Sequence, residues 1–136
     1  MKNKAYFLLF SGVTLFTAIP SFNFPDMDIS LLGIENHRFF LFHSVLIPLV
    51  LYYFLRTLPV SLFSRFAGMI CAGFFLGISI HLATDIIPQK AVNFLFTRTL
   101  VYGTYWDDRI WIIANMFAGF FLVFFIYKEM RTKYIS

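Results

Sequence analysis

Three histidines and three aspartates in this chain have the types and spacings of metal ligands. They are Asp26, Asp28, His37, His43, His81 and Asp85, and the three histidines are all that the chain has. Imidazole nitrogen and carboxylate oxygen are good donors to a divalent metal, zinc first, with manganese or magnesium as alternatives. Asp26 and Asp28 follow Pro25 in the stretch Phe-Pro-Asp-Met-Asp. In extended chain, residues two apart point the same way, so both carboxylates reach one cation or bridge two. The same residues suit a turn or a helix cap, where Pro-Asp and Asp are common. His81 and Asp85 are four apart, which on a helix puts them on one face. A local hydrogen bond at a helix end is the plainer use of that spacing. His37 and His43 bracket the entry to an apolar run. On one continuous helix they stand about 120° apart. A shared site therefore needs His37 before the helix and His43 a turn or more inside it. Arg38 reads as an anchor to headgroups or as a bidentate clamp on a substrate phosphate. Asp28, Asp85 and Arg38 are the candidates for catalysis, with one of the carboxylates as general base.

The elements that must hold these groups are membrane helices. Sixty per cent of the 136 residues are hydrophobic, 21% are aromatic and only 13% are charged. Soluble domains carry about 25% charged residues. Four apolar runs stand out, roughly Ala5 to Ile19, Phe39 to Leu55, Phe63 to Ala83 and Ile110 to Tyr127. A crossing helix needs about 17–25 residues. The first run is short and ends at Pro20. The stretch Phe16-Thr17-Ala18-Ile19-Pro20 makes a poor cleavage site, so the run reads as a retained helix rather than a signal peptide. The expected fold is all-α, a single domain over residues 1–136 that forms an integral membrane bundle of four transmembrane helices. The loop between the third and fourth, Ile86 to Arg109, carries an apolar stretch from Ala91 to Tyr102 that suits a short interfacial helix. Gly73 and Gly77 form a GxxxG pair, Gly68 and Ala72 repeat the spacing, and Ala114 and Ala118 do the same in the fourth run. Small residues so spaced let helices approach closely. Pro48 marks a kink inside the second run, and the lone Cys71 reads as helix packing.

Charge sets the expected orientation. Of the 11 basic residues, Lys2, Lys4, Arg56, Arg65, Lys128, Arg131 and Lys133 fall on the side of the termini, against Arg38, Lys90, Arg98 and Arg109 on the other. Both termini are then cytoplasmic in a multi-pass plasma (inner) membrane protein. Of the acidic residues, only Glu129 falls on the inner side. The net charge of +4 does not indicate nucleic acid, because the basic residues are scattered singly beside apolar runs. Asn115 and Trp111, four apart at the start of the fourth run, are candidates to orient a ligand. Asp107 and Asp108 read as solvated.

The order Pro25-Asp26-x-Asp28, His37-Arg38, His43-Ser44 and His81-x3-Asp85 resembles the membrane-bound metal-dependent hydrolase family of the YdjM type. The resemblance covers roughly Pro25 to Asn115. It implies a metal site whose ligands are Asp26, Asp28, His37, His43, His81 and Asp85. The expected function is a membrane-embedded metal-dependent hydrolase with its site at the extracytoplasmic face. Its partners are membrane lipid and a lipid or lipid-linked substrate, attacked at a phosphoester or acyl bond. The alternative is a non-catalytic membrane subunit or scaffold, in a homo-oligomer or membrane complex. Its His/Asp cluster would then be a structural metal or hydrogen-bond network. An ion or proton pathway ranks last, because the acidic residues and histidines stay at one face.

Overall fold

A computed structural model describes residues 2–33, 38–59, 62–87 and 107–135. All regular structure among them is helical: α1 (Lys2–Ser21), α2 (Met27–Leu32), α3 (Leu46–Arg56), α4 (Leu62–Asp85) and α5 (Asp107–Ile135). Three stretches are long and apolar enough to cross a membrane, namely Lys4–Ser21, Ser64–Asp85 and Arg109–Thr132. The α4 stretch is 67% buried and the other two 22% each, so α4 is the central helix. The outward faces of α1 and α5 present Phe16, Ile19, Phe121 and Phe124 to the surroundings. Water penalises such a surface and hydrocarbon does not. The interfacial helix expected between Ala91 and Tyr102 lies outside the described residues, as do Lys90 and Arg98.

The glycine spacing explains how α1 meets α4. A Cβ on Gly73 would collide with the Thr17 side chain and stand 2.7 Å from the Thr14 carbonyl. One on Gly77 would stand 2.5 Å from the Ala18 carbonyl. The two helices run in the same direction, so the C-terminal ends of both reach one end of the bundle. Helix α5 runs the other way, with Met130 on Gly68 and Gly119 against Ser79. Gly68 therefore serves α5 and not α1. Ala114, expected at a helix contact, is exposed, and Gly119 provides the close approach instead. Cys71 is buried beside Met69, Ala72 and Phe75, as its packing role requires.

The second apolar run departs from expectation. It is not one helix from Phe39 to Leu55: α3 starts only at Leu46 and has 11 residues. At about 1.5 Å per residue it is about 16 Å long, roughly half a hydrocarbon core. Residues 38–45 form turns instead. The backbone groups there find polar partners elsewhere in the fold. Phe39 N–H donates to Asp28 Oδ2 at 2.8 Å, and Val45 N–H donates to Asn115 Oδ1 at 3.1 Å. The indole N–H of Trp111 donates to the His43 carbonyl at 3.1 Å, and Leu46 N–H to Ser44 Oγ at 3.2 Å. Irregular backbone is tolerated at membrane depth where protein satisfies it. Pro48 consequently kinks nothing. It occupies the first turn of α3, where a missing N–H costs no intrahelical bond.

The far end of the bundle also holds more chemistry than expected. Tyr52 Oη donates to Glu129 Oε2 at 2.6 Å, and Arg56 approaches Glu129 Oε1 at 3.2 Å. This contact ties the C-terminal end of α3 to α5.

Candidate metal centre

Four elements meet at the C-terminal ends of α1 and α4. Pro25 and Asp26 lead into α2, which lies between α1 and the turn segment. Asp26 and Asp28 are not in extended chain, as the sequence suggested, because Asp26 is the residue that precedes α2 and Asp28 lies in its first turn. On a helix, residues two apart point in nearly opposite directions. The two carboxylates accordingly serve different partners. Asp26 makes no capping hydrogen bond. Its Oδ1 lies 3.7 Å from His81 Nε2. Asp28 is fully buried, and its Oδ2 lies 3.2 Å from His43 Nδ1.

His81 and Asp85 share a face of α4, as their spacing predicts. Asp85 Oδ2 lies 3.5 Å from His81 Nε2 and 3.3 Å from His43 Nε2. Ligand atoms on a tetrahedral ion with bonds of about 2.0–2.1 Å stand about 3.3–3.4 Å apart. The Asp85 separations match that edge length. Asp26, His43 and His81 each offer a ligand atom within 4.8 Å of the other two. Both ring nitrogens of His81 and the Oδ2 of Asp85 are buried and make no hydrogen bond among the described residues. Buried polar atoms normally have partners. His81 Nε2 and Asp85 Oδ2, buried and 3.5 Å apart, fit a divalent cation.

Arg38 is 1% exposed, so it does not reach headgroups. Its Nη2 donates to the Asp85 backbone carbonyl at 2.9 Å and stands 3.7 Å from Asp85 Oδ1. The guanidinium thus sits at the C-terminus of α4, where the helix dipole favours a cation, and it fixes the Asp85 side chain from behind. Reaching that position costs backbone strain, because Arg38 has φ 65°, the left-handed region.

The structure therefore brings together Asp26, Asp28, Arg38, His43, His81 and Asp85. His37 lies outside the described residues. Asn115 and Trp111 do orient a candidate ligand, by way of its backbone: they hold the segment His43–Val45 in place. Replacing Asn115 with alanine leaves the buried Val45 N–H without its acceptor. The expected loss is about 1–3 kcal/mol of stability, with weaker metal uptake because His43 is released. Denaturation and metal titration of the same variant check both effects. Unchanged metal affinity would separate Asn115 from the site.

Compared with known protein families, with curated proteins and with solved structures, the chain matches none of them.

Proposed function

We propose that this chain is a membrane-embedded metal-dependent hydrolase of the YdjM type, acting on a phosphoester or acyl bond of a lipid or lipid-linked molecule. The metal-binding part of the reading is supported by the convergence of Asp26, His43 and His81 at one end of a bundle of apolar helices; hydrolysis rests on the resemblance of the motif order. In this reading all four apolar runs lie in the plasma membrane, with α3 and residues 38–45 together as the second. Both termini are cytoplasmic and the site faces outward. Zinc is the preferred ion for two imidazoles with carboxylates, with manganese or magnesium as alternatives. Bound there, a divalent ion lowers the pKa of water and polarises the bond to be cleaved.

The chain's own residues divide the remaining work. The Asp26 side chain is 43% exposed and that of His81 only 7%. Water and substrate therefore enter past Asp26. Met27, Ile80 and Ile87, close in sequence to the candidate ligands, are exposed apolar residues, which suits a lipid substrate. Asp85 faces both imidazoles through Oδ2 and is steadied by Arg38. It is the group best situated to act as a general base. The burial of Arg38 favours this supporting role over a clamp on substrate phosphate.

The test is the metal content of the detergent-purified chain, beside a variant carrying His81→Ala and Asp85→Ala. Stoichiometric zinc or manganese in the parent, lost in a variant that stays monodisperse, is expected. Hydrolysis of phospholipid or lipid phosphate by the loaded parent and not by the variant completes the case. A tightly held ion without turnover points to the scaffold reading instead. A parent that takes up neither metal removes the hydrolase.

A further inference from the structure

We propose that Asp28 does not ligate the ion but positions His43 from behind, so that the described centre holds a single cation. The inference rests on the metal reading above and concerns how labour is divided within it.

The two ring nitrogens of an imidazole point away from each other, and one ion engages only one of them. In His43 the two nitrogens face different neighbours. Nδ1 faces Asp28 Oδ2 at 3.2 Å, while Nε2 faces Asp85 Oδ2 at 3.3 Å. Asp85 Oδ2 in turn lies 3.5 Å from His81 Nε2, and His81 Nε2 lies 3.7 Å from Asp26 Oδ1. Asp85 Oδ2 and His81 Nε2 thus lie on the Nε2 side of His43, with Asp26 Oδ1 next to His81. Asp28 stands across the ring from them. Its Oδ2 also accepts the Phe39 N–H at 2.8 Å, which anchors the carboxylate to the turn that follows.

At 3.2 Å the Asp28 carboxylate is placed to accept a proton from Nδ1 once the ring turns into line, and a carboxylate that does so keeps the proton on that nitrogen. It leaves the Nε2 lone pair free for a metal, fixes the ring plane and makes the imidazole a better donor. Asp28 is a positioning residue on this account.

Cobalt titration of the full chain in detergent tests the proposal, on the parent and on Asp28→Asn. We expect one Co²⁺ per parent chain, with the visible absorption of a low-coordinate site. Asp28→Asn should keep the stoichiometry and the shape of that absorption while binding about 10–100-fold more weakly. A variant that folds yet changes the absorption band, or loses the ion entirely while His43 stays ordered, makes Asp28 a ligand. Two ions per parent chain also overturn the proposal.

A second measurement needs no variant. In parent protein with ¹⁵N-labelled histidine and ¹¹³Cd, the metal should couple to Nε2 of His43. Coupling to Nδ1, the nitrogen that faces Asp28, overturns the inference but leaves the hydrolase reading standing. A parent that binds none of cobalt, cadmium or zinc overturns both.

Discussion

Gly77→Val is expected to separate α1 from α4 and to destroy the candidate metal site with it. The first added atom would meet the Ala18 carbonyl at 2.5 Å, Ser21 Cβ at 2.8 Å and the Phe22 amide nitrogen at 2.9 Å. Two of these three are backbone atoms, which no side-chain rotation can move aside. Overpacking in a well-packed core costs about 1–3 kcal/mol, occasionally more. Here the whole end of α1 must shift, so the upper part of that range applies. The shift carries Asp26 away from His81, because only Phe22 to Pro25 separate it from the end of α1. The variant should melt well below the parent and lose metal uptake. Gly12→Val is the control, since nothing lies within 4 Å of a Cβ at that position. Equal melting temperatures for Gly77→Val and Gly12→Val would mean that α1 does not pack on α4 in this way.

Arg38→Ala is expected to be at least as damaging, by electrostatics rather than crowding. The guanidinium is the buried cation beside Asp85, and both side chains have little access to solvent, 2% and 15%. Removing one partner of a buried pair costs about 3–5 kcal/mol, because the other charge stays behind. The variant also loses the donor to the Asp85 carbonyl. The damage should depend on the ion. A divalent cation held by Asp26, His43 and His81 would supply positive charge beside Asp85, and binding to the folded state alone adds stability. The gap between Arg38→Ala and the parent should therefore be widest after chelation and narrower with saturating zinc. Arg38→Lys keeps the charge but loses the planar fork, so it should recover only part of the loss. Thermal melts of all three proteins with chelator and with zinc decide it. A gap that zinc does not narrow would detach Arg38 from the metal centre.

The residues differ in how much of this arrangement their sequence reveals. Helices α1, α4 and α5 follow from hydropathy and length alone, because a long apolar segment has few other places to go. The pair Gly73 and Gly77 also announces its close contact, since small residues at that spacing have one common use. His81 and Asp85 come together because a helix enforces their spacing. The second run was misleading because hydropathy does not report backbone conformation. Phe39 to Leu55 is apolar throughout apart from His43 and Ser44, yet half of it turns. The sequence did contain the signal. Ser44 just before a helix and Pro48 in its first turn are start markers, and they were outweighed by the apolar residues around them. Asp26 and Asp28 were misjudged for a related reason. Their spacing means a shared direction in extended chain and opposite directions in a helix, and Pro25 permits either. The separate roles of the two carboxylates depend on which side of the His43 ring each occupies, a three-dimensional fact with no trace in spacing.

The turn segment has one more consequence, for the order in which the protein is built. Asp28 precedes this segment in the chain and is available as soon as it emerges. The partners of Val45 N–H and of the His43 carbonyl are Asn115 and Trp111, and both lie on the last helix. A chain that has made only α1 to α4 still lacks the groups that satisfy this stretch of backbone. The centre is closed from the C-terminal side, and a chain cut short before α5 would carry all of the candidate ligands without the groups that hold the turn segment in place.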